Sequence, residues 1–499
     1  MSFQRTSGGD TLVDPSAEND GAGFRNLARL LAEDPMVTRV IGRASNVLAV
    51  AEPARAMALA GLAEASERRP ILVAVPTTTE AERLANDLST FLGPDEVLVF
   101  PAWETLPFER ISPSIEAMGN RLRVLWHIQD PERCPKIIIA PVRALIQRLG
   151  PHVEEVDPII IGAEDQVDIQ ELVTRLVGYG YRRETQVEHR GEIAVRGSIV
   201  DIFPSTADGP YRIDLWGDEV DRLCEFTIND QRSTVDRAEI EIFPCRELLV
   251  TDDIRERAER LQATAPWGKE QWQRLSDGEL FEGMESWLPW LTDDERVLTD
   301  LLSSDAMVVL VEPRRMRDRG ADLLAEEADL ATSLATTWGA VYGQDVDGSG
   351  PAGAPADGAT PQPDQQGGFP QLHLSFDRLL ARTTVPAITI TAVPEGPDVA
   401  VLAASGWEAP GEHLAARLNQ LLADKARVVI TADGVGSAAR TIDAMAEWGI
   451  TPTDHGLAAP QVFPPGVHLV VTPLERGFII PAAGIAVLTE ADLTGRRLA

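Results

Sequence analysis

RGEIAVRGSIVDIFPSTADGPYRIDLWGDEVDRL, residues 190–223, reads as antiparallel sheet. Tyr211, Ile213 and Leu215 alternate with Arg212, Asp214 and Trp216, the period of two expected of a strand with one buried face. Ala207-Asp208-Gly209-Pro210 supplies a turn before that strand. The alternation continues with Cys224, Phe226 and Ile228 against Glu225 and Thr227, then Ile240 and Ile242 against Glu239 and Glu241. With a helix expected from Ile169 to Val177, these strands form an α+β insert over residues 150–243. The pattern places Arg212 and Trp216 on the face turned to water. A Trp beside an Arg on a sheet surface has the composition of a binding hot spot, and an Arg can fork onto a partner's carboxylate. The plain alternative is a Trp tucked under a neighbouring helix and an Arg212 paired to Asp214.

On either side of the insert the pattern changes. NVLAVA, ILVAVP, EVLVFP and KIIIAP, within residues 1–149, are short apolar runs suited to buried parallel strands. Between two of them, TTTEAERLANDLSTFLG carries a Thr77–Glu80 capping box and a Leu84, Leu88, Leu92 stripe, and Gly93-Pro94 ends it. Residues 244–342 return to helices and one strong strand, AMVVLVE from Ala306. The expected body is therefore a doubly wound α/β domain in two parts, 1–149 and 244–342, interrupted by the insert. Residues 343–372 are dominated by Gly, Pro, Asp and Gln and read as a flexible linker. A smaller, separate α/β domain is expected over 373–490, with strands at AITITAV, ARVVITA, VHLVVT and GIAVLTE, and 491–499 begin a further connection.

The formal charge is −33, from 78 acidic and 45 basic residues. A field of that sign repels duplex phosphates and anionic lipid, so the chain is not expected to grip DNA or a membrane itself. Only Lys136, Lys269 and Lys425 are lysines, and with the high alanine content this suggests a GC-rich bacterial genome. Cys134, Cys224 and Cys245 are far apart and read as reduced, buried thiols of a cytoplasmic protein. The N-terminus lacks a signal-peptide pattern, and the longest apolar run, from Phe478, contains a proline and falls short of the ~20 residues that span a bilayer.

A phosphate-cradling P-loop needs a Lys followed by Ser or Thr. The three lysines precede Ile137, Glu270 and Ala426 instead. The seven histidines are scattered, and no His/Cys cluster has metal-ligand spacing. Acidic pairs such as Asp293-Asp294 and Asp218-Glu219 read as turns or solvated faces. No catalytic, cofactor or metal residue is assigned.

GEIAVRGSIVDIFP, PYRIDLWGDEVDRLCEF, NDQRS and FPCREL resemble the UvrB-like module of bacterial transcription-repair coupling factor. WETLPFERISPS (Trp103 to Ser114) and LERGFIIPAAGIAVLTEADLTGRR (Leu474 to Arg497) match the same family, and the composition fits an actinobacterial member. The resemblance is dense at 95–250 and 467–497 and weak between. It implies the N-terminal part of a protein about twice as long. The remainder would hold an RNA-polymerase-interacting domain, two ATP- and Mg-dependent motor domains that move on duplex DNA, and an autoinhibitory C-terminal domain. In this region the resemblance implies a degenerate UvrB-like fold, P-loop-type without a nucleotide site. UvrB's GVTGSGKT corresponds to AVAEPARA, with Ala49 and Ala54 for glycines, Arg55 for the lysine and Ala56 for the threonine. Glu52 adds charge there and Pro53 removes an amide donor.

The resemblance further implies that the insert recruits UvrA, the damage-recognition protein of nucleotide excision repair, through Arg196, Arg212 and Trp216. Other members can carry Phe at the aromatic position. RNA polymerase and DNA would be met only through the missing domains. The expected protein is a cytoplasmic, non-catalytic recruitment module, a monomer with no membrane contact. The competing readings are a UvrB-like DNA-damage binder, which would need a basic groove and an aromatic-rich hairpin, and a nucleotide hydrolase with a non-standard site.

Overall fold

The computed structural model describes residues 22–106, 109–265, 268–342, 370–396, 398–407 and 411–494. The chain divides into two compact units. One comprises residues 69–82 and 98–387; the other comprises 1–68, 83–97 and 388–499. The expected linker lies mostly outside the described residues, which resume at Pro370.

In the first of these units, strands Met307–Val311, Ile71–Val75 and Ile137–Pro141 pair side by side in parallel. Every residue of all three is buried. That is why these segments read as unbroken apolar runs rather than as an alternation. Two of the stretches that carried the family resemblance meet in this unit. Trp103 donates its indole N–H to Glu247 at 2.7 Å, and Arg121 forks onto the same carboxylate at 2.7 and 3.1 Å. The guanidinium of Arg121 lies 4.2 Å from the centre of the Phe100 ring. Arg121, Trp103 and Glu247 are all buried, so removing any one charged partner would strand the other in the interior.

The insert has a six-stranded sheet and a two-stranded ladder. The six strands lie in the order Ser233–Asp236, Glu219–Phe226, Tyr211–Trp216, Ile199–Ile202, Glu192–Arg196, Arg182–Arg183. All neighbours are antiparallel except the last pair. The segment Glu239–Ile242, expected as a continuation of the same alternation, instead pairs antiparallel with Ile159–Gly162. The helix Ile169–Gly178 is capped by Asp168, whose carboxylate accepts the amides of Gln170 and Glu171. Its buried Leu172, Val173 and Leu176 join Ile193, Val200, Ile202, Ile213, Leu215 and Leu223 in one core.

One expected boundary is corrected. Residues 370–386 were assigned to the linker's end and the C-terminal domain, yet they belong to the unit that contains the insert. Leu374, Phe376, Leu379 and Val385 are buried in its core. Glu327 and His373, both buried, bond at 2.9 Å, and Arg148 donates to the Gln371 carbonyl at 2.9 Å. These anchors outweigh the compositional break that marked a domain start.

In the other unit, Val47–Ala49 pairs in parallel with Ala387–Thr391 on one side and Ala400–Val401 on the other. AITITAV is thus a neighbour of the N-terminal strand, not the first strand of an independent domain. A second sheet follows, in the order Ser405–Gly406, Phe478–Ile480, Ile485–Thr489, Arg427–Ala432, Gly466–Val471, Thr453–Asp454. It contains the remaining three predicted strands. An aromatic chain, Phe463–Phe24–Phe91–Phe478, has centroid steps of 5.6, 6.0 and 6.2 Å and joins the N-terminal helix Ala22–Ala32 to this sheet. In the loop Leu474–Phe478, Gly477 approaches so closely that a Cβ would lie 2.3 Å from the Asp492 carboxylate. That carboxylate also accepts the amides of Gly477 and Thr489 at 2.9 Å.

Candidate protein-docking face

Strict alternation along Tyr211–Trp216 sends Ile213 and Leu215 into the insert core. Arg212, Asp214 and Trp216 take the opposite face, as expected. That face is not simply open to water. Val187, Ala194, Phe203 and Phe226 form a second small core on it, with Ile228 against them. Arg212 lies over this core and its side chain is only 13% exposed. Its guanidinium sits 4.7 Å from the centre of the Phe226 ring.

Arg212 is held on three sides. Nε and Nη2 fork onto Asp201 at 2.7 and 3.0 Å, and Nη1 donates to the Gln231 carbonyl at 3.0 Å. The partner is therefore Asp201, directly opposite in the strand register, and not Asp214. The Asp201 bond raises the Arg212 pKa above the ordinary guanidinium value, and Asp214, partly buried, is raised from the usual carboxylate range. A guanidinium carries five N–H groups. Three are engaged among the described residues, which leaves one on Nη1 and one on Nη2.

Arg196 ends the neighbouring strand Glu192–Arg196 and also donates to Asp201. Its side chain is 44% exposed. The adjacent Gly197 sits in the two-residue turn of a hairpin, since Arg196 pairs with Ile199, and its φ of 66° is the left-handed conformation such turns need. Asp201 is completely buried beneath the two arginines.

Trp216 closes the strand, pairing with Glu219 across the turn Gly217-Asp218. It is 84% exposed. The turn behind it is braced by the segment 164–167: Val167 N–H donates to the Asp218 carbonyl, Glu164 N–H donates to the Val220 carbonyl at 3.0 Å, and Val220 N–H donates to the Asp165 carbonyl at 2.9 Å. The alternative of a Trp packed under a helix is set aside by its exposure.

The second predicted cluster lies elsewhere. Ala49 is the last residue of strand Val47–Ala49, Ala54 ends a 3-10 turn Glu52–Ala54, and Arg55 and Ala56 open the helix Arg55–Ala65. The order is strand, turn, helix. The turn packs against Ser405–Gly406 and Phe478–Ile480. A Cβ added at Gly406 would stand 3.3 Å from Pro53, and Arg476 approaches Glu52 at 3.7 Å.

A family model described as the UvrB interaction domain matches residues 159–248, which contain Arg196, Arg212 and Trp216. Over 487 residues the chain is 34% identical to a "Transcription-repair-coupling factor" of Mycobacterium tuberculosis and, equally, of Mycobacterium bovis. This chain is a relative of the transcription-repair-coupling factors. The match covers 93% of the chain and 38% of each mycobacterial factor, so the chain spans about two fifths of those relatives. The Haemophilus influenzae and Escherichia coli factors are 32% and 31% identical over 52% and 46% of the chain, and 23% and 20% of their own lengths.

The sequence pattern put Arg212 and Trp216 on one face but missed Asp201, the carboxylate on which Arg196 and Arg212 meet. Its signal was present. In Ile199–Ile202 a single Asp stands between Val200 and Ile202, both directed to the core, so it must share the face of Arg212. The stacking ring Phe226 was read only as part of an alternation.

Proposed function

We propose that this chain is the UvrA-recruiting part of a transcription-repair-coupling factor, delivering UvrA to stalled RNA polymerase in transcription-coupled nucleotide excision repair. The observation that carries the reading is Trp216, a bare indole at the end of a rigid strand within the region matched as a UvrB interaction domain. Large exposed aromatics next to arginine are the residues that dominate docking energies. Arg196 and Arg212 supply the polar part of the contact, and the two remaining N–H groups of Arg212 fit an acceptor on UvrA.

The region acts without catalysis of its own. The Ala49–Ala56 turn does not fit a nucleotide: Pro53 lacks an amide proton, Glu52 puts a carboxylate where phosphate charge would lie, and neighbouring chain packs on the turn. ATP-driven movement on DNA, contact with RNA polymerase and autoinhibition belong to segments beyond this chain. The expected working form is a cytoplasmic monomer.

Calorimetric titration of UvrA into the chain, beside an Arg212→Ala, Trp216→Ala double variant, tests the reading. Binding by the natural chain and a loss of at least ~2 kcal/mol in the folded double variant supports it. Equal binding by both moves the docking site elsewhere, and no binding by either ends the recruitment reading.

A further inference from the structure

Arg196 and Arg212 converge on one carboxylate that no solvent reaches. Asp201 accepts both Arg212 bonds of the side-on fork and one from Arg196. An exposed arginine ordinarily samples many rotamers, and a partner must freeze them on binding. Here the freezing is done within the free chain. Phe226 fixes the plane of the Arg212 guanidinium, Asp201 fixes its rotation in that plane, and the Gln231 carbonyl takes a third N–H.

We infer that Asp201 is a positioning residue of the docking face: it touches no partner, and presets both arginines so that the outward N–H groups of Arg212 meet an acceptor on UvrA. This rests on the reading above. Its chemistry is specific to a planar fork, because a lysine keeps the charge but cannot bond Asp201 side-on while presenting further N–H groups in a fixed plane.

The test compares UvrA titrations of the natural chain with Asp201→Asn, Arg212→Ala, Arg212→Lys and the Asp201→Asn, Arg212→Ala double variant, each checked for cooperative unfolding. The Arg212 Nε–H resonance of the free, nitrogen-15-labelled chain is followed in parallel. Asp201→Asn is expected to weaken binding at least ten-fold and to abolish the exchange protection of Arg212 Nε–H. Arg212→Lys is expected to bind as weakly as Arg212→Ala, and the double variant within two-fold of Arg212→Ala alone. Asp201→Asn binding within two-fold of the natural chain, fully multiplying losses in the double variant, or natural binding by Arg212→Lys would each overturn the assignment. Should Asp201→Asn not fold, Arg212→Lys decides. Should the natural chain fail to bind UvrA, the recruitment reading falls by itself, and protection that persists in Asp201→Asn shows that Asp201 does not set Arg212 either.

Discussion

Two arginine–carboxylate forks in this chain use the same chemistry in opposite settings. Arg121 forks onto Glu247 above Phe100, and Arg212 forks onto Asp201 above Phe226. The first is sealed on every side and shares its carboxylate with Trp103. The second buries its carboxylate equally well but leaves its arginine partly exposed, on the same sheet face as Trp216, and shares the carboxylate with a second arginine. A fork whose charges are all enclosed spends its bonds on the fold. A fork with N–H groups left over, on the same face as a bare aromatic, has something to offer another molecule. Donor count and exposure, not residue type, separate the two.

The comparison is open to breakage by mutation. Glu247→Gln or Arg121→Ala leaves a buried charge without its partner and is expected to cost about 3–5 kcal/mol in denaturant unfolding. A cost near that of an exposed pair would erase the distinction. Trp216→Ala is expected to lose about 2 kcal/mol or more of UvrA affinity in calorimetry. The same variant should unfold within about 0.5 kcal/mol of the natural chain, because little of the indole is buried.

A third carboxylate sharpens the comparison from the other side. Asp87 is half-buried and accepts the Glu475 amide, no guanidinium among the described residues forks onto it, and desolvation pushes its pKa up to about 6. An acid raised in the folded state is penalised where it must ionise. Stability should therefore be highest at or below about pH 4 as far as this group is concerned, and fall as pH rises to about 6 and above. Asp87→Asn should relieve the penalty at pH 8 by up to about 3 kcal/mol and change little at pH 4, read from paired urea titrations. The smallest effect belongs to Arg222 and Asp236, an ion pair 2.7 Å apart on the exposed edge of the insert. Arg222→Ala should leave the denaturant midpoint of unfolding almost unchanged.

The period of two in Tyr211–Trp216 was enough to place Arg212 and Trp216 on one face, and the unbroken apolar runs were enough to find buried parallel strands. What alternation cannot supply is the identity of the neighbour. Asp201 and Arg212 are 11 residues apart in the chain and become partners only through strand register. For the same reason the second small core under Arg212 was invisible: Val187, Ala194, Phe203 and Phe226 come from different segments. The domain break expected near residue 373 failed because composition marks where chain is polar, not where it returns. A ten-residue stretch containing Leu372, Leu374, Phe376 and Leu379 looked like the opening of something new, and it completes the existing core.

That return path also sets a timetable. Strand Val47–Ala49 has no sheet neighbour from its own part of the chain; its partners are Thr389–Thr391 on one side and Ala400–Val401 on the other. During synthesis at ~5–20 residues per second, the ribosome must add about 340 more residues before the first partner emerges, a wait of roughly 20–70 s. The insert, whose strands pair with near neighbours in sequence, can be complete well before that. The face that carries Arg212 and Trp216 is thus fashioned early on the nascent chain, while Val47–Ala49, the first strand of the described residues, is among the last to be enclosed.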